Sequence, residues 1–82
     1  MKITEVRITK YEAGALKAFA SITIDDMFVV DGLKVLDKDN DLFVAMPSKK
    51  TQNGKFKNTA FPIKKEAKEN IIKAVKEAYK KA

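Results

Sequence analysis

The stretch Pro62-Ile63-Lys64-Lys65-Glu66-Ala67-Lys68-Glu69-Asn70-Ile71-Ile72-Lys73-Ala74-Val75-Lys76-Glu77-Ala78-Tyr79-Lys80 is where the period of the sequence changes. Ile63, Ala67, Ile71, Ala74, Val75 and Ala78 fall on one stripe at helical spacing, and Lys65, Glu69, Lys73, Lys76 and Lys80 fall opposite. Ile72 and Tyr79 sit at the margin of the stripe. The spacing predicts an amphipathic helix over about residues 64–80. Such a helix must bury its stripe against another layer. Everything before it that carries a period alternates in twos, as strands do. The predicted architecture is therefore α+β, an antiparallel β-sheet with a C-terminal α-helix on its apolar face, in a single domain over residues 1–82.

Working back from the helix, Pro62 closes a weak return strand over about residues 55–61. Asn53-Gly54 is the strongest turn signal in the chain. Residues 42–47 hold an apolar run, Leu42 to Met46, which reads as a central strand that Pro47 ends. Asp37 to Asp41 is a polar turn. Residues 27–36 are apolar on both sides of Asp31-Gly32, a pair that suits either a tight hairpin turn or a bulge in one long strand. Residues 15–25 place Leu16, Ala18, Ala20, Ile22 and Ile24 on one face. In residues 2–11, Thr4, Val6 and Ile8 point one way, and Glu5, Arg7, Thr9 and Tyr11 point the other with Ile3. The short turn at Glu12-Ala13-Gly14 joins these two strands as a hairpin.

Bulk properties narrow the function. A chain of 82 residues buries only about 60–65% of its unfolded surface and gains from extra support. Cysteine and histidine are absent, which removes disulfides, thiolate metal sites and the commonest general base. Oligomerisation is the remaining support, and a homodimer is its commonest form. No apolar run approaches the roughly 18 residues that span a bilayer, and the first residues alternate at once, unlike a signal peptide. These features point to a cytoplasmic protein with no membrane partner. The net charge of +6 is uneven: residues 1–47 carry −2 and residues 48–82 carry +8. Such asymmetry suits a polyanionic partner, nucleic acid first, and equally suits ordinary solubility until the positions of the charges are considered.

Catalytic constellations are missing. Ser48-Lys49 are neighbours that an extended chain points to opposite sides, and Asp25-Asp26 suits a solvated turn. Asp37-x-Asp39-x-Asp41 opens like a calcium loop, but Leu42 and Ser48 stand where Gly and Glu are required. Gly54-Lys55 lacks the rest of a P-loop. The sequence therefore predicts no enzyme, no small-molecule substrate, no cofactor and no metal.

The basic segment carries the positive expectation. Lys49, Lys50, Lys55 and Lys57 flank the Asn-Gly turn, with Ser48, Thr51, Gln52 and Asn53 between them and no acidic residue from Leu42 to Ile63. Phosphate binding needs cations on an approachable surface and small donors to set register. The predicted nucleic-acid-binding residues are Ser48, Lys49, Lys50, Thr51, Lys55 and Lys57. The competing reading is a solvated loop that protects a sheet end from aggregation. Lys65 and Lys73 have i, i+4 partners in Glu69 and Glu77, as a solvent face normally does, while Lys68, Lys76, Lys80 and Lys81 add a positive field. Arg7, Tyr11, Lys17 and Phe19 on the first hairpin combine aromatics with cations, a combination that can stack bases but that more often packs under a loop or in a dimer interface. A different class of function, a protein-interaction module, would use Ile72, Tyr79 and Phe19 as anchors.

Leu42-Phe43-Val44-Ala45-Met46-Pro47-Ser48-Lys49-Lys50-Thr51 resembles the signature segment of the SpoVG septation-regulator family. Met1-Lys2-Ile3-Thr4-Glu5-Val6-Arg7-Ile8, Phe28-Val29-Val30, Leu33-Lys34-Val35 and Pro62-Ile63 are similar to it too. The resemblance implies a small homodimeric bacterial domain with an antiparallel sheet and a C-terminal helix. It also implies DNA binding, RNA binding in some members, and a role in gene regulation, septation and sporulation. The family's basic stretch maps onto Ser48, Lys49, Lys50 and Thr51. Its usual lack of glycine at position 32 favours a continuous or bulged strand there. This chain departs from the pattern at Phe61, where the family commonly has His, and at Lys50, where arginine is frequent. Many members also carry an acidic tail, and this chain ends Lys80-Lys81-Ala82. Lysine is a point charge where arginine reads guanine with two bonds.

Overall fold

The computed structural model describes residues 2–82. Four strands, β1 (Ile3–Ala13), β2 (Leu16–Ile24), β3 (Phe28–Lys38) and β4 (Asp41–Ala45), form an antiparallel sheet in the order β1-β2-β3-β4. A separate two-stranded ribbon, β5 (Ser48–Lys50) and β6 (Phe56–Asn58), follows, and then the helix α1 (Lys65–Lys81). The class is α+β, as the change of period predicts. No helix among the described residues is long and apolar enough to cross a membrane.

The core lies between one face of the sheet and α1. Ala18, Ala20 and Ile22 of β2, Leu33 and Val35 of β3, and Ile71 and Val75 of α1 are its buried members. The two alanines lie on the central strand beneath the helix, where small side chains let it come close. Ile3, Val6, Ile8, Val30, Leu42, Val44 and Tyr79 pack around this nucleus.

Bulges decide which residues reach it. The β1–β2 register shifts between Ile3 and Glu5, and one extra residue reverses the alternation. Ile3 therefore joins Val6 and Ile8 at the core, against the reading that set it beside Glu5. Thr4 turns outward instead, and its Oγ1 accepts the Asp26 N–H at 3.1 Å. A second bulge settles Asp31-Gly32. Val30 pairs with Ile22 and Leu33 with Ala20, so residues three apart share the core face. Gly32 takes φ +86°, the left-handed conformation a glycine bulge requires. Its N–H donates to Asp31 Oδ1 at 2.8 Å.

The expectation of a central strand at residues 42–47 is corrected. β4 is the sheet's edge, and β2 and β3 are its interior. The run is apolar on both sides because Leu42 and Val44 face α1 while Phe43 lies on the open face, opposite Leu36. The polar turn before β4 is a two-residue hairpin with Asp39 at φ +55° and Asn40 at φ +66°, as a primed turn demands. Asp25 and Asp26 also hold positive φ in the β2–β3 turn, and Asp25 Oδ1 accepts the Lys2 N–H at 3.0 Å. Ile63 is corrected too. It precedes the helix and is 89% exposed.

Candidate nucleic-acid interface

The basic segment is a ribbon rather than a loop. Ser48 pairs with Asn58, Lys49 with Lys57, and Lys50 with Phe56. Alternation puts Lys49 and Lys57 on one face, and Ser48, Lys50, Phe56 and Asn58 on the other. Pro47 is buried where the chain leaves the sheet, and a Cβ on Gly32 would stand 3.4 Å from it. At the other side of the base, Thr59 donates to the Pro47 carbonyl through its N–H at 2.8 Å and its hydroxyl at 3.2 Å. These contacts aim the ribbon.

The tip is a turn closed by Thr51 and Gly54. The Thr51 N–H reaches the Lys55 carbonyl at 2.7 Å, and the Gly54 N–H reaches the Thr51 carbonyl at 3.0 Å. Gly54 has φ +77°. The Thr51 hydroxyl donates to the same Lys55 carbonyl at 3.0 Å. Thr51 therefore builds the turn, and its hydroxyl proton is already committed. Ser48, Lys49, Lys50, Lys55 and Lys57 are all exposed.

Electrostatics distinguish the ribbon from the helix. Like charges directly across a strand pair repel, and Lys49 opposes Lys57 with no carboxylate on either strand. The ion pairs among the described residues are Arg7–Glu5 at 3.4 Å and Lys65–Glu69 at 3.9 Å. Neither involves the ribbon. Of the i, i+4 pairs that the helix spacing offers, Lys65–Glu69 forms, and Lys73 has no ion pair among the described residues.

The structure sets beside the expected Ser48 several residues that the sequence reading left out. Ser48, Phe56 and Asn58 line a cleft of about 510 Å³ together with Ala45 of β4, Phe61 and Lys68 of α1. Phe56 is 71% exposed and Phe61 58%. An aromatic in the alternation Lys55-Phe56-Lys57-Asn58 was the available signal. A second, apolar groove of about 350 Å³ lies between the sheet's end and the start of α1, lined by Ile24, Val30, Met46, Phe61, Ile63 and Ala67.

The other candidates change character. Tyr11 and Phe19 meet edge to face at 5.7 Å, and Arg7 holds Glu5. The two rings brace one another, with Tyr11 still half exposed. Tyr79 packs against the core with Lys10 Nζ 5.7 Å from its ring centroid. Ile72, Tyr79 and Phe19 are each only partly exposed, so none is a free anchor. The large exposed apolar side chains lie elsewhere, at Met27, Phe28, Phe61 and Ile63 among others.

A sequence model described as SpoVG matches residues 1–81. A protein of Treponema denticola is 48% identical over 82 residues, covering 99% of this chain and 88% of that protein. One from Clostridium perfringens is 49% identical over 82 residues, with 99% and 91% covered. One from Desulforudis audaxviator is 49% identical over 80 residues, with 96% and 91% covered. All three carry the name "Putative septation protein SpoVG".

Proposed function

The chain belongs to the SpoVG family, and from that premise we propose that it is a nucleic-acid-binding regulatory protein, for DNA or RNA, whose contact surface is the β5–β6 ribbon. One observation carries this reading: Lys49 and Lys57 stand opposite each other on an exposed ribbon with no acid to neutralise them. A phosphate between them removes the repulsion and releases counterions. Lys50 and Lys55 extend the cationic surface, and Ser48 offers a free hydroxyl. Regulation of gene expression is the role such binding serves. Septation, in the name of the relatives, is the process we assign to it, acting in the cytoplasm.

The salt dependence tests this directly. Four lysines neutralising four phosphates give a slope of log K against log[salt] of about −3.6 on duplex DNA. Titrations at several salt concentrations measure it. Affinity that does not respond to salt rules the ribbon mechanism out.

The protein works as a homodimer in this reading, which doubles the ribbons and steepens the slope. The support is the apolar groove beside exposed Phe61 and Ile63. Phe28 lies opposite Ile24 at the end of the same sheet face. An apolar hole with apolar knobs at its rim is the self-complementary surface a two-fold interface needs. Ile63→Glu is expected to give monomers in sedimentation where the wild type gives dimers. A monomeric wild type would leave the groove to a protein of the division machinery, the second reading it supports.

A further inference from the structure

Phosphate contacts explain affinity, but the ribbon's other face is not built for phosphate alone. Phe56 stands at its centre, 71% exposed, and the aromatic contact among the described residues involves Tyr11 and Phe19 instead. A ring left in water on a three-residue strand adds little to folding. It faces the 510 Å³ cleft, where Phe61 supplies a second ring, Ser48 and Asn58 lie directly across from each other, and Lys68 projects from α1. None of the residues lining that cleft is acidic.

We propose that this cleft receives an unstacked base of a single-stranded nucleic acid, with the Phe56 ring as its stacking platform. The inference rests on the ribbon being the nucleic-acid surface and assigns its second face. Every base has a π-face, so stacking on an aromatic is sequence-tolerant. Asn58 carries both a donor and an acceptor and Ser48 a hydroxyl, the groups that read a base edge. Lys68 lines the cleft and Lys50 lies across from Phe56 on the same ribbon face, two cations for the flanking phosphates. A paired base cannot enter, because its faces are stacked and its edge is occupied. The two faces of the ribbon thus divide the work. Lys49 and Lys57 hold backbone in any form, and the Phe56 face selects single strands.

The test compares one fluorescein-labelled oligonucleotide of mixed sequence, as a single strand and annealed to its complement, by anisotropy at fixed salt. Phe56→Ala is expected to weaken single-strand binding about 5- to 150-fold and to change duplex binding less than twofold. Phe56→Leu, which keeps bulk and removes the ring, is expected to behave as alanine does, with its melting temperature showing the ribbon's host fold intact. The chain has no tryptophan, so Phe56→Trp is a sole reporter. It is expected to keep single-strand affinity and to be quenched by the single strand but not the duplex. Equal weakening of both ligands, or single-strand affinity untouched by Phe56→Ala, overturns the base site while leaving the lysine contacts standing. A wild type that binds neither ligand overturns both.

Discussion

Gly32 shows how one residue sets the position of the interface. It holds φ +86°, where an L side chain is strained by about 1–2 kcal/mol, and a methyl there would only touch Pro47, in ordinary contact at 3.4 Å. Gly32→Ala is expected to lower stability by about that amount, seen in urea titration as a lower midpoint with an unchanged slope. Gly14 is also in the left-handed region, but its φ of +61° lies nearer the minimum that an L residue can reach, so its alanine variant should suffer the smaller loss. Ile71 is a different case, a buried side chain against the alanines of β2. Ile71→Ala should lose about 2–5 kcal/mol, a large share of what a domain this small has. The glycine's need for a special conformation was legible in the sequence, because a hairpin and a bulge both call for one, but the choice between the two was not. The choice depends on which residues pair across the strand.

The ribbon and the helix each carry one defect that a substitution can correct. Lys49→Glu converts a cross-strand repulsion into an attraction with Lys57, worth about 0.2–1 kcal/mol. Thermal melting should show a slight gain in stability while nucleic-acid affinity falls, separating the contact surface from the fold. The helix starts at Lys65 with Lys64 as a cap that makes no side-chain hydrogen bond. Lys64→Asp supplies an acceptor for the free N–H groups and removes a cation from the positive end of the dipole, for a gain of about 1 kcal/mol readable in the same melts. The two elements differed in how far they could be read from the sequence. Seventeen helical residues repeat their pattern enough times to be unmistakable. A three-residue strand does not, so the run Ser48-Lys49-Lys50 looked like part of a loop although its residue types already marked it as basic.

Across the whole molecule, charge and surface are separated. The acidic turns at Asp25-Asp26 and Asp39-Asn40-Asp41 join sheet strands, whereas the ribbon and helix carry the lysines. Protein at low salt should therefore bind a polyanion through the ribbon, with the salt slope near −3.6 per protomer as the measure. The amino-acid order was sufficient for the α+β class, the helix, the hairpins and the cationic segment, because each rests on local period, turn chemistry or charge count. It was insufficient for the placement of β4 at the edge, the turn of Ile3 into the core, the exposure of Ile63, and the cleft joining Phe56 to Phe61 and Lys68. Those depend on strand order, on bulges that shift alternation by one residue, and on where a helix docks. Such properties arise from pairing between distant segments. A sequence records the partners without recording which of them meet.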